Sequence, residues 1–399
     1  MSFRARWHET KVLFGNQPLV YLFLRLARFG GKVCRIPGVG YVINDPHLAR
    51  TVLAKSENVR PSGPGGIGDF INQCFEGDVA TPFTLNGDEH KEQRRVLSEF
   101  VTGEGLRTTL ESALAPEYRS VVEQLRQGKP QDIAAFTGRA SIRVMAHMLG
   151  VRGGAPGYET CLDSMAHLGR EISDCIPMRG RSLKSAASRR IRRLRQDVVQ
   201  QLREMTSTGV ADDSVIAKVT RGGYSERQAM ALAMTLLLAG TETISSGFPR
   251  MVALLIDHGV WQALDERREH IDSAIDEGMR LTAPSPSVLQ GVVEDFEVQG
   301  HRFRAGQRVI VALHNILLDR RWTDEPKNFR IDREQPTAIK NLWFGSGVHY
   351  CLGAVLANAF YRQCLEALLE VPGKPSILKR RATRGSSFPG YSELQIAFA

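Results

Sequence analysis

The sequence predicts a mainly α-helical single domain with a minor β component. Three observations lead there. Helical patterns about ten to thirteen residues long greatly outnumber alternating strand patterns. An apolar content of 42% over 399 residues is ample for one large buried core. No stretch repeats at a solenoid-like period and no linker divides the chain, so residues 1–399 are expected to form one domain.

The elements follow in chain order. "PLVYLFLRLARF" predicts an amphipathic surface helix from Pro18 to Phe29. Arg25 and Arg28 interrupt its apolar run well short of the roughly 20 residues a bilayer requires, so no transmembrane segment is expected. No small-residue cleavage site accompanies it, and a cytoplasmic location is the expectation. "GVGYVIN", from Gly38 to Asn44, predicts a short strand, and "PHLARTVLAKS" a helix. "VRPSGPGGIGDF" contains a literal G-x-G-x-x-G at Gly63, Gly65 and Gly68. No strand leads into it and no βαβ unit surrounds it, so a mobile loop is expected there instead of a dinucleotide site.

Helical patterns continue through "DEHKEQRRVLSEFV", "LESALAPEYRSVVEQLRQG" and "TGRASIRVMAHMLG". The next helix packs Arg189, Arg190, Arg192, Arg193 and Arg195 into one short run, and the net charge is +9. These arginines spread around several faces, while Ile191, Leu194, Val198 and Leu202 keep an apolar stripe. A solvated helix with one buried side is expected, and no nucleic acid as partner. The basic excess suits an acidic protein partner.

"SERQAMALAMTLLLAGTETISSGFPRMVALLIDHG" is almost uninterrupted in its apolar residues from Ala229 to Ala239, as in a helix buried on all sides. "VWQALDERREHIDSAIDEGMRLT" predicts another helix. "FEVQGHRFRAGQRVIVAL" predicts short strands turning at Gly300 and Gly306. Six cysteines without a C-x-x-C pair argue against a zinc site and a disulfide framework.

One cysteine stands in unusual company. In "WFGSGVHYCLGAVLA", Cys351 follows Phe344, Gly345, Gly347 and His349, precedes Gly353, and is followed by a helical pattern. Glycines allow tight turns and close backbone approach to a flat ligand. A helix beginning at the cysteine aims free N–H groups at its sulfur, a setting expected to favour thiolate over thiol.

The run F-G-S-G-V-H-Y-C-L-G resembles, without a gap, the haem-binding signature of the cytochrome P450 family. The resemblance implies that Cys351 is the axial thiolate of haem b (iron protoporphyrin IX), with the haem between the long buried helix and the helix after the cysteine loop. Three further stretches resemble the family in the same order. Glu277 and Arg280, three apart on a helix face, match its E-x-x-R, and Arg333 stands where a third, bracing residue is implied. "LLLAGTETI" matches the oxygen-side pattern. It implies that Gly240 leaves room for O2, that Thr243 hydrogen-bonds the reacting oxygen, and that Glu242 relays protons from solvent. His90 and Arg94 match a pair that, with His349, reaches the haem propionates. Where relatives place a propionate-binding arginine on a strand, this chain has Gln290, a weaker donor.

The resemblance implies a monooxygenase that inserts one atom of O2 into a lipophilic small molecule, such as a terpenoid, steroid or polyketide. Electrons would come from NAD(P)H through a ferredoxin reductase and a ferredoxin-type donor, docking near Lys91, Arg95 and Arg362. By position the substrate pocket draws on the glycine-rich loop after Arg60, the region from Cys161 to Pro177, Leu236, Ala239, Val288, Leu289 and Phe388. Two alternatives stay open at this stage: a haem-thiolate enzyme that uses peroxide or rearranges an oxygenated substrate, and, more remotely, a basic helical nucleic-acid-binding protein.

Overall fold

The computed structural model describes residues 3–75, 80–175, 185–207 and 213–399, and within them helices dominate. The core helix, Glu226–Asp257, starts at a capping box: the Ser225 backbone N–H donates to Gln228 Oε1 at 2.9 Å, and the Gln228 N–H to Ser225 Oγ at 3.3 Å. Its residues from Leu232 to Leu237 are all buried, as the unbroken apolar run predicts. The helices Ile133–Leu149, Tyr158–Cys175, Val215–Arg221 and Ile271–Thr282 pack around it. Among the described residues it is the one helix long and apolar enough to cross a membrane, and most of its apolar window is buried in protein.

Strands form three sheets. β1 (Val33–Ile36), β2 (Gly40–Ile43), β3 (Val59–Arg60), β5 (Val288–Val292) and β8 (Arg308–Val311) make one sheet in the order β1-β2-β8-β5-β3. β4 (Gln131–Asp132), β9 (Pro375–Ala382) and β10 (Tyr391–Phe398) make a second in the order β4-β10-β9, and β6 (Phe296–Val298) pairs with β7 (His301–Phe303). The expected turn at Gly300 is present, with Gln299 and Gly300 both at positive φ (49° and 74°), the conformation that joins two-residue hairpins.

Alternation along β5 decides which side chains can reach the interior. Leu289, Val42 and Ile310 turn away from the main core and pack with Leu24 and Ala27 in a small separate cluster. Val288, Val292, Val309 and Val311 turn toward the main core. Leu289 therefore leaves the substrate-pocket set expected from sequence, while Val288 stays on the inner face.

Two helices precede the sheet. α2 (Pro18–Ala27), continued by a 3-10 turn at Arg28–Gly30, matches the expected amphipathic helix. α1 (Phe3–Asn16) is additional, and its Glu9 carboxylate pairs with Arg250, a fully buried guanidinium of the core helix. The basic helix Ser185–Ser207 buries Ile191, Val198 and Leu202 and leaves Arg189, Arg190, Arg192 and Arg193 exposed. The helix expected over residues 260–282 is broken at Arg267 (φ −129°, ψ 65°) into Trp261–Glu266 and Ile271–Thr282.

The glycine-rich loop differs from expectation. A Cβ on Gly63 would overlap the Gly291 backbone, one on Gly66 the Pro61 carbonyl and one on Gly68 the Phe83 carbonyl. Contrary to expectation, β3 leads directly into the stretch and the helix Ile67–Phe75 begins within it, and its glycines serve close packing against β5 and the neighbouring turns.

Candidate functional site

The loop before Cys351 is two 3-10 turns, Leu342–Phe344 and Gly347–His349, separated by Gly345 at φ 82°. The Cys351 N–H donates to the Phe344 carbonyl at 2.9 Å, which closes the loop on itself. Gly347 (φ 73°) also lies where a Cβ would overlap the Leu53 carbonyl, so it is fixed by the contact with the helix Pro46–Ala54. From that helix Arg50 donates to the carbonyls of Ala338 (3.0 Å) and Lys340, holding the approach to the loop. Gly353 caps the helix Ala354–Leu369.

Cys351 is accessible to solvent, yet desolvation pushes its thiol pKa up, against the Gly353 N–H and the Arg94 charge that pull it down. A group is accessible and desolvated together when it opens onto a cavity inside the protein. Ala239 of the core helix is exposed as well, although Leu237 and Ile244 of the same helix are buried. The expectation that the helix start alone favours thiolate is corrected here, because burial outweighs both favourable contacts. A bound cation at the sulfur is what would hold the thiolate.

A basic rim stands beside the cysteine. The rings of His90 and His349 lie 4.4 Å apart at 53°, and His349 Nε2 meets Asn86 Oδ1 at 2.9 Å. Burial, then His90 and Arg94, pushes His349 down to about 4, and burial followed by Arg94 lowers His90. The Arg94 guanidinium is itself lowered by burial, and the charge that favours it is Cys351. His90 Nε2 is buried with no hydrogen-bond partner, as is Oε1 of Gln290 on β5. Arg308 is one strand away from Gln290 but pairs in register with Gly291, which puts it on the opposite face of the sheet. Half-buried donors crowded together, with an orphaned ring nitrogen among them, suit an anionic ligand. Haem offers two carboxylates to such a rim and an iron to the sulfur, so the residues fit it.

On the core helix, Leu236, Ala239 and Thr243 recur at helical spacing on one face. The Thr243 hydroxyl donates to the Ala239 carbonyl at 2.8 Å, leaving its lone pairs available to a donor on the open side. Thr241 and Ser245 bond back to Leu237 (2.9 Å) and Thr241 (2.6 Å) in the same way. Gly240 has a packing reason of its own: a Cβ there would overlap the Met145 sulfur of the helix Ile133–Leu149. Room for O2 is therefore not needed to explain the glycine.

Glu242 turns toward the helix Tyr158–Cys175. A Cβ on Gly169 would stand 3.4 Å from its Oε1. Desolvation pushes the Glu242 pKa up to about 7, with Arg170 opposing and Asp174 adding to the shift. Arg170 and Asp174, the charges that act on Glu242, are themselves exposed to solvent. The turn bearing Phe388 closes over the same region, since the Pro389 carbonyl accepts from Ser246 Oγ at 2.7 Å and Ser387 N–H donates to the Ser173 carbonyl at 3.4 Å. Residues 176 and 177, the end of the expected 161–177 pocket region, lie outside the described residues.

Glu277, Arg280 and Arg333 come together, all buried. Arg280 makes a two-pronged pair to Glu277 (2.8 and 2.8 Å), and Arg333 Nε reaches Glu277 Oε1 at 2.9 Å. Gln335, which sequence reasoning missed, gives the carboxylate a further donor at 2.9 Å. The arginines' remaining N–H groups reach the carbonyls of Leu317 and Pro326 (both 2.7 Å) and Asp324 (2.8 Å), so the cluster ties three stretches of chain to one helix. Asn86, Met145, Arg50 and Gly169 were likewise missed, because their roles depend on contacts with no sequence-local signal.

Comparison with known proteins accords with this arrangement. The family model described as cytochrome P450 matches residues 261–371. The mycinamicin IV hydroxylase/epoxidase of Micromonospora griseorubida is 26% identical over 81% of this chain and 80% of that protein. The 20-oxo-5-O-mycaminosyltylactone 23-monooxygenase of Streptomyces fradiae is 32% identical over 39% of this chain and 37% of its own. The vitamin D3 dihydroxylase of Streptomyces griseolus is 30% identical over half of each. Among solved structures, P450BioI in complex with an acyl carrier protein carrying hexadec-9Z-enoic acid superposes with a TM-score of 0.80 at 19% identity, covering 97% of this chain and 100% of that one. With the cysteine loop, the buried triad and the core helix in one fold, the chain belongs to the cytochrome P450 family of oxygen-incorporating oxidoreductases.

Proposed function

We propose that Cys351 would hold haem b through its sulfur and that the enzyme inserts one atom of O2 into a lipophilic small molecule, by hydroxylation or epoxidation. The observation that carries this reading is Cys351 itself, accessible and desolvated beside an orphaned His90 nitrogen and the Arg94 charge. When bound, haem iron supplies the oxygen activation that no side chain here can perform. His90, Arg94, His349 and Gln290 would orient it through its carboxylates, and the Gly353 N–H would share the sulfur's charge.

The chain's own part in the chemistry is proton delivery and exclusion of water. With a pKa of about 7, the Glu242 carboxyl can both take a proton from the Arg170–Asp174 side and release one inward. Thr243 Oγ1, its proton given to the Ala239 carbonyl, would accept a hydrogen bond on the open side and so hold a proton beside the reacting oxygen. The apolar surfaces of Leu236, Ala239, Val288 and Phe388 would hold the substrate. Relatives named for mycinamicin IV, a mycaminosyltylactone and vitamin D3 support a large lipophilic substrate, with terpenoids, steroids and polyketides as the classes to try first.

Electrons would come from NAD(P)H through a ferredoxin and its reductase, in the cytoplasm, at the face carrying the cysteine loop. The experiment that tests the proton role is Thr243→Ala. We expect NAD(P)H consumption to continue while hydrogen peroxide replaces most of the product, and tight coupling in this variant would place the relay elsewhere.

A further inference from the structure

Eight large apolar side chains are exposed among the described residues, and five of them fall within the first thirty: Trp7, Leu19, Leu22, Leu26 and Phe29. Leu19, Leu22 and Leu26 are spaced three and four apart, so they form one stripe on α2, and Phe29, 84% exposed, extends it. The opposite face of α2 is already committed, with Tyr21, Leu24 and Ala27 buried. The helix is thus apolar on both sides, and its outer side is covered by nothing among the described residues.

The segment that carries this stripe is strongly basic. Residues 1–44 hold seven Lys or Arg and a single acid, Glu9, whose carboxylate is paired with the buried Arg250. Arg25 lies between Leu22 and Leu26, and Arg28, Lys32 and Arg35 follow; all four are exposed. Two of them have carboxylate neighbours, Asp319 at 3.5 Å from Arg28 and Asp45 at 4.0 Å from Lys32, without being buried by them. Of the four tryptophans only Trp7 is exposed, with Lys11 over its ring at 4.9 Å.

We propose that α1 and α2 dock this chain onto an anionic lipid bilayer, lying in the interface with Leu19, Leu22, Leu26 and Phe29 dipped among the acyl chains. An aliphatic stripe flanked by bases, with an exposed tryptophan on the preceding helix, is the pattern of an interfacial segment. An acidic protein partner would meet the same charges but leaves the long aliphatic stripe unexplained. No span is involved. The α1–α2 junction also touches the turn bearing Phe388: Asn16 exchanges hydrogen bonds with Ser386 (2.6 and 2.9 Å), two residues from Phe388. That a lipophilic substrate enters from the bilayer follows if the site reading above holds; the lipid contact itself stands without it.

The test uses the full-length protein as purified, mixed with vesicles of phosphatidylcholine plus phosphatidylglycerol or of phosphatidylcholine alone. We expect flotation with the mixed vesicles, weaker association with the neutral ones, and loss as salt rises. Leu22→Ser with Leu26→Ser should lower the partition coefficient at least about tenfold while far-ultraviolet circular dichroism stays unchanged. Leu19→Ser alone serves if the pair fails to fold. A blue shift of emission on binding should vanish in Trp7→Phe. No binding to anionic vesicles at low salt would overturn the proposal, and so would binding indifferent to the leucine substitutions. A lipid-free dimer abolished by those same substitutions would assign the face to a second copy of the chain and overturn it too.

Discussion

Glu242 is an acid in the wall of an apolar helix, and its environment sets when it carries charge. Burial pushes its pKa up from 4.5 to about 7. The folded state therefore binds this proton more tightly than the unfolded chain. Its favourable contribution is fully present below the unfolded value and is lost as pH rises from about 4.5 through about 7. The shift corresponds to at most about 3 kcal/mol. Glu242→Gln should accordingly raise the melting temperature at pH 8 and leave it nearly unchanged near pH 4, and an equal effect at both would mean that folding does not raise the carboxyl's pKa. The acid, the threonine and Cys351 were all legible as residues, since each breaks a local rule that the surrounding run obeys. The direction of Glu242 was not, because it depends on Gly169 bringing another helix close.

At the scale of elements, the core helix shows how one residue can serve a purpose different from the one its motif suggests. Gly240 lies where the Met145 sulfur fills the place of a Cβ, so the glycine sets how closely two helices approach. We expect Gly240→Ala to cost about 1–3 kcal/mol in thermal or denaturant unfolding, as overpacking does. Measured against Met145→Ala, which carries its own cavity cost of about 2–5 kcal/mol, the added cost of Gly240→Ala should vanish, and an unchanged stability in the single variant would return the glycine to an oxygen-side role alone. The Glu277 cluster was easier to foresee, because residues three apart on a helix must share a face. Its third and fourth members, Arg333 and Gln335, lie more than fifty residues on and enter through an irregular segment.

For the whole molecule, the helical skeleton was legible because long apolar periodicity survives tertiary context, and the core helix is the clearest case. The C-terminal hairpin was not. β9 carries Lys379, Arg380 and Arg381 in succession, and its pairing with β10 rather than any alternation defines it. Leu289 was misplaced because position in sequence does not tell which face of a sheet a residue takes until register is known. The face proposed to receive the electron donor also differs from its sequence portrait. Lys91 pairs with Asp88 (2.9 Å), Arg95 with Glu92 (2.7 Å), and Arg362 with Asp272 and Glu366, so the three bases are largely neutralised. Val348 and Val355, 44% and 50% exposed, flank the cysteine loop instead. We therefore expect Val355→Asp to slow electron transfer from a ferredoxin about tenfold, more than Lys91→Gln does, with a shallow salt dependence. A steep dependence with indifference to Val355 would restore the basic patch.

All of these scales meet at the sulfur of Cys351, and one measurement addresses it most directly. The purified protein, loaded with haem, is reduced and exposed to carbon monoxide while its absorbance is recorded. The account predicts the strongly red-shifted Soret band of a thiolate-ligated haem, and loss of that band in Cys351→Ser. A folded, haem-loaded protein without the shift, or a Cys351→Ser variant that keeps it, would contradict the assignment of Cys351 as the axial ligand.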